Sequence, residues 1–326
     1  MTVLEGIQKS AEFLAKKGVE SSRLQAELLL AHLLKLPRMK LYLNFERALT
    51  PAETDALREL VRRRGQREPL QHITGTTSFC GFEIAVNHHV LIPRPETELL
   101  AEAGWNFLIA APVLSHSSPG GGVGRGEEAS LSRTKIPSPQ PSPRLGGERE
   151  PGAMPGRAPT VLDFGTGSGC IAIAIALKSP RAQVYAADVS GDALALARQN
   201  AASHSLTERL QFFQGNGFAA LPTDMRFDLI VSNPPYIPSA EIEILEPEVR
   251  DYDPRGALDG GPDGLDFYRR LAVEAGTFLK PAGKMMLEFG EGQAEGVKKI
   301  FEKQKWVVEA ILPDYTRRER ILVARR

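Results

Sequence analysis

Residues 160–176 read TVLDFGTGSGCIAIAIA: an apolar run, a turn with glycine at every second position, then an unbroken stretch of small and branched apolar residues. A short apolar run ending in such a turn reads as a buried strand, and Gly165, Gly167 and Gly169 let the backbone bend sharply and approach a ligand closely. The helix that follows offers unpaired N–H groups at its start. Strand, glycine turn and helix in this order open a parallel sheet whose ligand sits at the carboxyl ends of the strands. A dinucleotide fingerprint would need glycine at 170, where the chain has Cys170, so the spacing is G-x-G-x-G. By itself the turn admits a structural role or a nucleotide site.

Working outward, further apolar runs follow: QVYAADV, LQFFQG, FDLIVSN, KMMLEFG, WVVEAIL and RILVAR, with helical stretches interspersed. Strands alternating with helices predict an α/β, doubly wound, mostly parallel sheet. Asp188 closes the second run, placed to accept hydrogen bonds from two ribose hydroxyls. The fourth run ends in VSNPPYIP, residues 231–238. Two prolines stop a strand, since neither has an N–H for the ladder. Asn233 can accept through its side-chain oxygen, and the carbonyls beside Pro234 and Pro235 lack a competing N–H, so two acceptors converge. Two acceptors suit an NH2 group, with Tyr236 as a flat wall. Holding both protons favours a more tetrahedral nitrogen with its lone pair directed at an electrophile.

Composition bounds the rest. Forty basic and forty acidic residues cancel, so no global electrostatic footprint of a nucleic-acid binder is present. Two cysteines, Cys80 and Cys170, have no metal-like spacing and suggest a reduced, cytoplasmic protein. The longest apolar run, Cys170 to Leu177, is too short to cross a bilayer. Residues 241–266 carry nine acids against Arg250 and Arg255, an acidic lip expected to repel phosphates. These acids lack a calcium-loop pattern. His88 and His89, neighbours on an expected strand, would face opposite sides, so no metal site is expected.

Residues 1–70 show helical periodicity (Ile7, Ala11, Leu14; Leu24, Leu28, Ala31, Leu34; Leu57, Leu60, Val61), with Thr50-Pro51 as a helix start. Arg62-Arg63-Arg64 reads as a solvated helix face or a contact for an acidic partner. Residues 71–90 suggest a β-hairpin connector, and 91–326 the catalytic domain, in which Pro93, Arg94 and Pro95 mark a helix start able to attract a carboxylate. Within it, 23 of the 46 residues from Val113 to Ala158 are Pro, Gly or Ser, a composition that predicts a disordered insertion.

DFGTGSG, Asp188 and NPPY together resemble class I methyltransferases. EPLQHITG, VLIPRPETE, VSNPPYIP and EVRDYDPRGALDGGPDGLDFYR are similar to bacterial peptide-chain release factor glutamine methyltransferases. The resemblance implies a Rossmann-like domain with a seven-stranded, mostly parallel sheet behind a small helical domain that docks the release factor. It implies S-adenosyl-L-methionine as cofactor and the glutamine amide of a Gly-Gly-Gln motif as acceptor. Carried onto this sequence, Gly165, Thr166, Gly167, Ser168, Gly169, Asp188, Gly217 and Asn233 hold the cofactor, while Asn233, Pro234, Pro235 and Tyr236 hold the amide. The methionine carboxylate is the guest expected near Arg94. Where the family usually places an acid and a bulky residue against the adenine, this chain has Asn216-Gly217-Phe218. Either the cofactor is held less tightly or Phe218 covers the adenine. A monomer acting on a protein, without membrane or nucleic acid, is expected. The rivals are a ribosomal-protein glutamine methyltransferase, an adenine amino-methyltransferase that flips its base, and a non-catalytic cofactor-binding protein.

Overall fold

A computed structural model of the chain describes residues 1–110 and 157–326. The segment 113–158, expected to be a disordered insertion, lies outside the described residues apart from its last two.

The N-terminal helices are α1 (Val3–Lys16), α2 (Ser22–Leu34), α3 (Arg38–Leu41), α4 (Pro51–Gly65) and α5 (Leu70–Thr74). Capping boxes start α1 and α4. Thr2 and Glu5 exchange side-chain and backbone hydrogen bonds, as do Thr50 and Glu53 ahead of α4, where Pro51 takes the first turn. Val3, Ile7, Leu14, Leu29, Leu30, Leu57 and Val61 form their common core. The periodicity assigned to α2 is corrected: its buried stripe runs through Ala26, Leu29 and Leu30, whereas Leu24 is 42% exposed. Leu24, Leu28, Leu29, Leu30, Leu33 and Leu34 are spread around this helix, so spacing alone does not say which face turns inward.

A hairpin follows, β1 (Thr76–Phe79) paired antiparallel with β2 (Phe82–Ala85), and then α6 (Pro95–Ala110). His88 and His89 fall in a turn rather than on a strand, and their rings lie side by side, 3.8 Å between centroids, not on opposite faces.

Beyond residue 157 come β3 (Thr160–Phe164), α7 (Cys170–Lys178), β4 (Gln183–Asp188), α8 (Gly191–Ser203), β5 (Leu210–Gln214), β6 (Phe227–Ser232), α9 (Pro247–Arg250), α10 (Asp266–Glu274), β7 (Leu279–Glu288), α11 (Ala294–Lys303), β8 (Val307–Pro313) and β9 (Glu319–Arg325). The sheet order is β5-β4-β3-β6-β7-β9-β8, seven strands among the described residues. The first five in that order are parallel, and β9 runs antiparallel to both neighbours.

Alternation along the strands divides the core between two faces. Val161, Leu229 and Val231 pack with α6 and α7, while Leu162 and Ile230 pack with α10 and α11. Because β3, β4, β6 and β7 are parallel, their carboxyl ends, and the residues that follow, meet along one edge. Pairing of Asp163 with Val231 and of Ser232 with Leu287 sets the glycine turn, Asn233 and Glu288 side by side.

Candidate active site

The glycine turn is built by a carboxylate that sequence reading passed over. Asp163, the fourth residue of β3, is fully buried; its Oδ2 accepts from the Thr166 hydroxyl at 2.6 Å and from the Ala172 amide at 3.1 Å, tying turn and helix to the strand. Burial pushes its carboxyl up to about 7, and Oδ1 has no hydrogen-bond partner among the described residues. Asp188 steadies the turn from the neighbouring strand, accepting from the Gly167 amide and the Ser190 amide, each at 2.9 Å. Buried Asn200 on α8 bridges more widely. Its Oδ1 accepts from the Ala85 amide at 2.8 Å, and its Nδ2 donates to the carbonyls of Ala85 (3.0 Å) and Ser168 (2.9 Å), so one side chain joins the hairpin to the turn.

The three glycines differ in what demands them. Gly165 and Gly167 have positive φ and open space where a Cβ would stand, next to the cavity. Gly169, at φ +82°, instead presses against α8, where an added Cβ would lie 3.2 Å from the Ala197 Cβ.

A cavity of about 340 Å³ opens at the strand ends, within the usual range for small-molecule sites. Among the residues expected at a site, Gly165, Thr166, Gly167, Ser168, Asp188, Gly217, Asn233 and Pro235 line it; Gly169, Pro234 and Tyr236 do not. The Tyr236 side chain packs with the apolar cluster under α10 and α11 and reaches towards Gly290, while its carbonyl accepts from Gln293 Nε2 at 2.8 Å. The flat wall expected of Tyr236 is therefore not a surface of this cavity, because β7 and the turn after it attract the ring to the apolar side.

Asn233 is held from behind. Its Nδ2 donates to Thr97 Oγ1 on α6 at 3.0 Å. Next to both lies Glu288, 2% exposed, whose carboxyl is pushed up to about 7 by burial, against the pull of Thr97 and Arg320. Thr97 and Glu288 were not anticipated from the sequence.

At the opposite end, Phe218, which the sequence offered as a cover for the adenine, is not on the cavity wall. It is buried at 3% exposure, stacked on Phe278 and tilted against Phe164, each 4.8 Å between centroids. The residue over Gly217 is Arg270, which donates to the Asn216 Oδ1 at 2.5 Å and to its carbonyl at 2.9 Å; a side chain at 217 would strike this guanidinium. Phe267 and Arg270, both on α10, complete that wall.

The acidic lip is not a bare negative surface. Glu243 pairs with Arg255, Glu248 with Arg64 and Arg67, Glu246 with Arg67, Asp251 with Arg250, Asp253 with Arg94, and Asp263 and Asp266 with Arg269. Sequence counting saw nine acids against two bases because most of the neutralising arginines come from outside residues 241–266. With its carboxylates paired in this way, the lip is not the phosphate-repelling surface expected from the sequence. Arg64 is likewise neither on a solvated helix face nor free for a partner: it is 4% exposed and bound to Glu248 at 2.7 Å. Arg94 lines the cavity while holding Asp253 at 2.6 Å.

A glycine turn after β3, an acid at the end of β4 and Asn-Pro-Pro-Tyr after β6, on a seven-stranded sheet with an antiparallel β9, define a class I methyltransferase domain. Comparison with known proteins agrees: residues 5–75 match the PrmC N-terminal domain, and residues 153–245 match the methyltransferase small domain. The chain is 43% identical over 302 residues to a release factor glutamine methyltransferase of Geobacter sulfurreducens, covering 93% of this chain and 89% of that one. It is 38% identical to that of Chlorobaculum tepidum, covering 98% and 95%. A solved protein-(glutamine-N5) methyltransferase from Alicyclobacillus acidocaldarius is 26% identical over 75% of this chain and 99% of its own, with a TM-score of 0.37. The chain belongs to the release factor glutamine methyltransferase family.

Proposed function

We propose that the protein methylates the side-chain amide nitrogen of the glutamine in the Gly-Gly-Gln motif of peptide-chain release factors, with S-adenosyl-L-methionine as donor. The observation that carries this reading is the orientation of Asn233. With its Nδ2 engaged by Thr97, its Oδ1 is the atom offered to a ligand, in the same cavity as the glycine turn and Asp188.

The residues present fit the donor. Open space at Gly165 and Gly167 leaves the turn approachable, and each Asp188 oxygen, having accepted one backbone N–H, keeps lone pairs for ribose hydroxyls. When bound, S-adenosyl-L-methionine supplies a methyl group made electrophilic by its sulfonium. Asn233 Oδ1, the acceptor that lines the cavity, takes one N–H bond of the glutamine amide and holds its nitrogen towards the donor end. An amide nitrogen is a weak nucleophile, so positioning is the main contribution asked of the protein, of the kind that reaches about 7–11 kcal/mol in well-oriented reactions. The helical domain supports a protein acceptor, since contacts remote from the reacting atoms can fix the glutamine loop.

The test is incubation of the protein with labelled donor and, separately, intact release factor, ribosomal protein and DNA. Mass spectrometry is expected to show one added methyl on the Gly-Gly-Gln glutamine. Label in DNA adenine or ribosomal protein, with none in the factor, refutes the assignment. In the same assay Asn233→Ala is expected to lower kcat about a hundredfold, whereas Asp188→Ala acts first through a raised KM for the donor.

A further inference from the structure

Behind Asn233 stands a carboxylate that does not line the cavity. Glu288 ends β7, and pairing of Ser232 with Leu287 brings it beside Asn233. It is almost fully buried, and its Oε2 has no hydrogen-bond partner among the described residues. Its carboxylate faces the Thr97 hydroxyl and the Asn233 amide. Arg320 on β9, Glu96 on α6 and the phenols of Tyr236 and Tyr268 are the other charged or titratable groups around it.

This arrangement has a direction. The Thr97 oxygen accepts from Asn233 Nδ2, and its single proton must go elsewhere. An ionised carboxylate can only accept, so it takes that proton and cannot reverse the chain. Donation then runs towards Glu288 from the Asn233 amide, both directly and by way of Thr97, leaving Oδ1 to the cavity. A neutral amide or acid at 288 could donate instead; Thr97 would then donate to Asn233 Oδ1, and the amide would turn its NH2 towards the substrate.

We propose that Glu288 is a positioning residue that fixes the sense of the Asn233 amide and thereby selects a substrate that presents an NH2 group. The inference rests on the clamp role given to Asn233 above. Burial holds the Glu288 carboxyl up at about 7, so its protonation opens the reversed sense, and kcat is expected to fall on the acid side of that value.

Glu288→Gln, Thr97→Val and the double variant are compared on intact release factor. Glu288→Gln is expected to lower kcat about tenfold or more, to leave the KM for the factor and the affinity for S-adenosylhomocysteine within about twofold, and to erase the acid limb near pH 7. In the Thr97→Val background Glu288→Gln should cost less than it does alone, the remainder reporting the carboxylate's own contact with the Asn233 amide. Wild-type kcat in Glu288→Gln, a loss expressed in cofactor affinity alone, or losses that multiply in the double variant overturn the proposal. Should Glu288→Gln fail to fold, Thr97→Val carries the test: its kcat is expected to fall with KM for the factor kept within about twofold, and a wild-type kcat in it is equally fatal. A readout independent of turnover is the Asn233 side-chain amide signal in NMR, expected to titrate near pH 7 in the wild type and not in Glu288→Gln. If the wild type left the factor unmethylated, the substrate assignment would fall, and an Asn233 signal indifferent to pH would separately dispose of the role given to Glu288.

Discussion

Asp163 shows what a single buried acid does to this fold. Its folded carboxyl sits near 7 against an ordinary 3.8, chiefly through burial, so between those values the native state keeps a proton that the unfolded chain releases. Stability from this proton is fully present below about pH 4 and is lost as pH rises through about 7. Glu288, raised to about 7, and Asp253, raised to about 6, act in the same sense. The melting temperature is therefore expected to fall between pH 5 and 8, and Asp163→Asn to flatten that slope, as thermal unfolding across the range will show. An unchanged slope would mean the carboxyl is ionised throughout. The role of Asp163 is not legible in the turn motif itself, since it depends on a neighbour nine residues on, Ala172, that only the folded helix brings back to it.

At the level of the elements, strands and helices from β3 onward were legible because buried parallel strands are continuous apolar runs punctuated by glycine and proline. The glycine turn was legible as a turn, but its three glycines were read alike. Gly167→Ala is expected to lower donor affinity, since its Cβ would enter the open space beside the cavity. Gly169→Ala shares the left-handed strain of Gly167→Ala but adds overpacking against Ala197 on α8, and should lower the melting temperature further, by the equivalent of about 1–3 kcal/mol, without a direct effect on the cavity. Calorimetry of the donor and thermal melts separate the two; equal effects on both quantities contradict the division. The support behind Asn233 was not legible for a different reason. Thr97 and Glu288 lie far from it in sequence, and their meeting depends on β7 pairing with β6 and on α6 crossing their ends, which no local pattern states. Phe218 was misplaced similarly: an aromatic after a strand looks available until α10 and the segment before β7 close over it.

Across the whole molecule, the helical domain holds the segment that follows the clamp. Arg64 and Arg67 grip Glu248 at 2.7 Å and 2.6 Å, and the Tyr252 hydroxyl donates to the Gln66 carbonyl at 3.0 Å. Arg64→Ala leaves Glu248 half-compensated and is expected to destabilise by about 1–3 kcal/mol, less than a fully buried pair because Glu248 is partly exposed and retains Arg67. It should also depress kcat/KM for intact factor more than for a short Gly-Gly-Gln peptide; equal depression would separate the helical domain from substrate use. The join at Asn200 carries a thermodynamic corollary. Because one amide fastens the hairpin leading from the helical domain to the turn beside the cavity, a factor that shifts the hairpin must change donor affinity, and the donor must change factor affinity by the same ratio. Each ligand would then be reporting on the other's occupancy, through three hydrogen bonds to a single side chain.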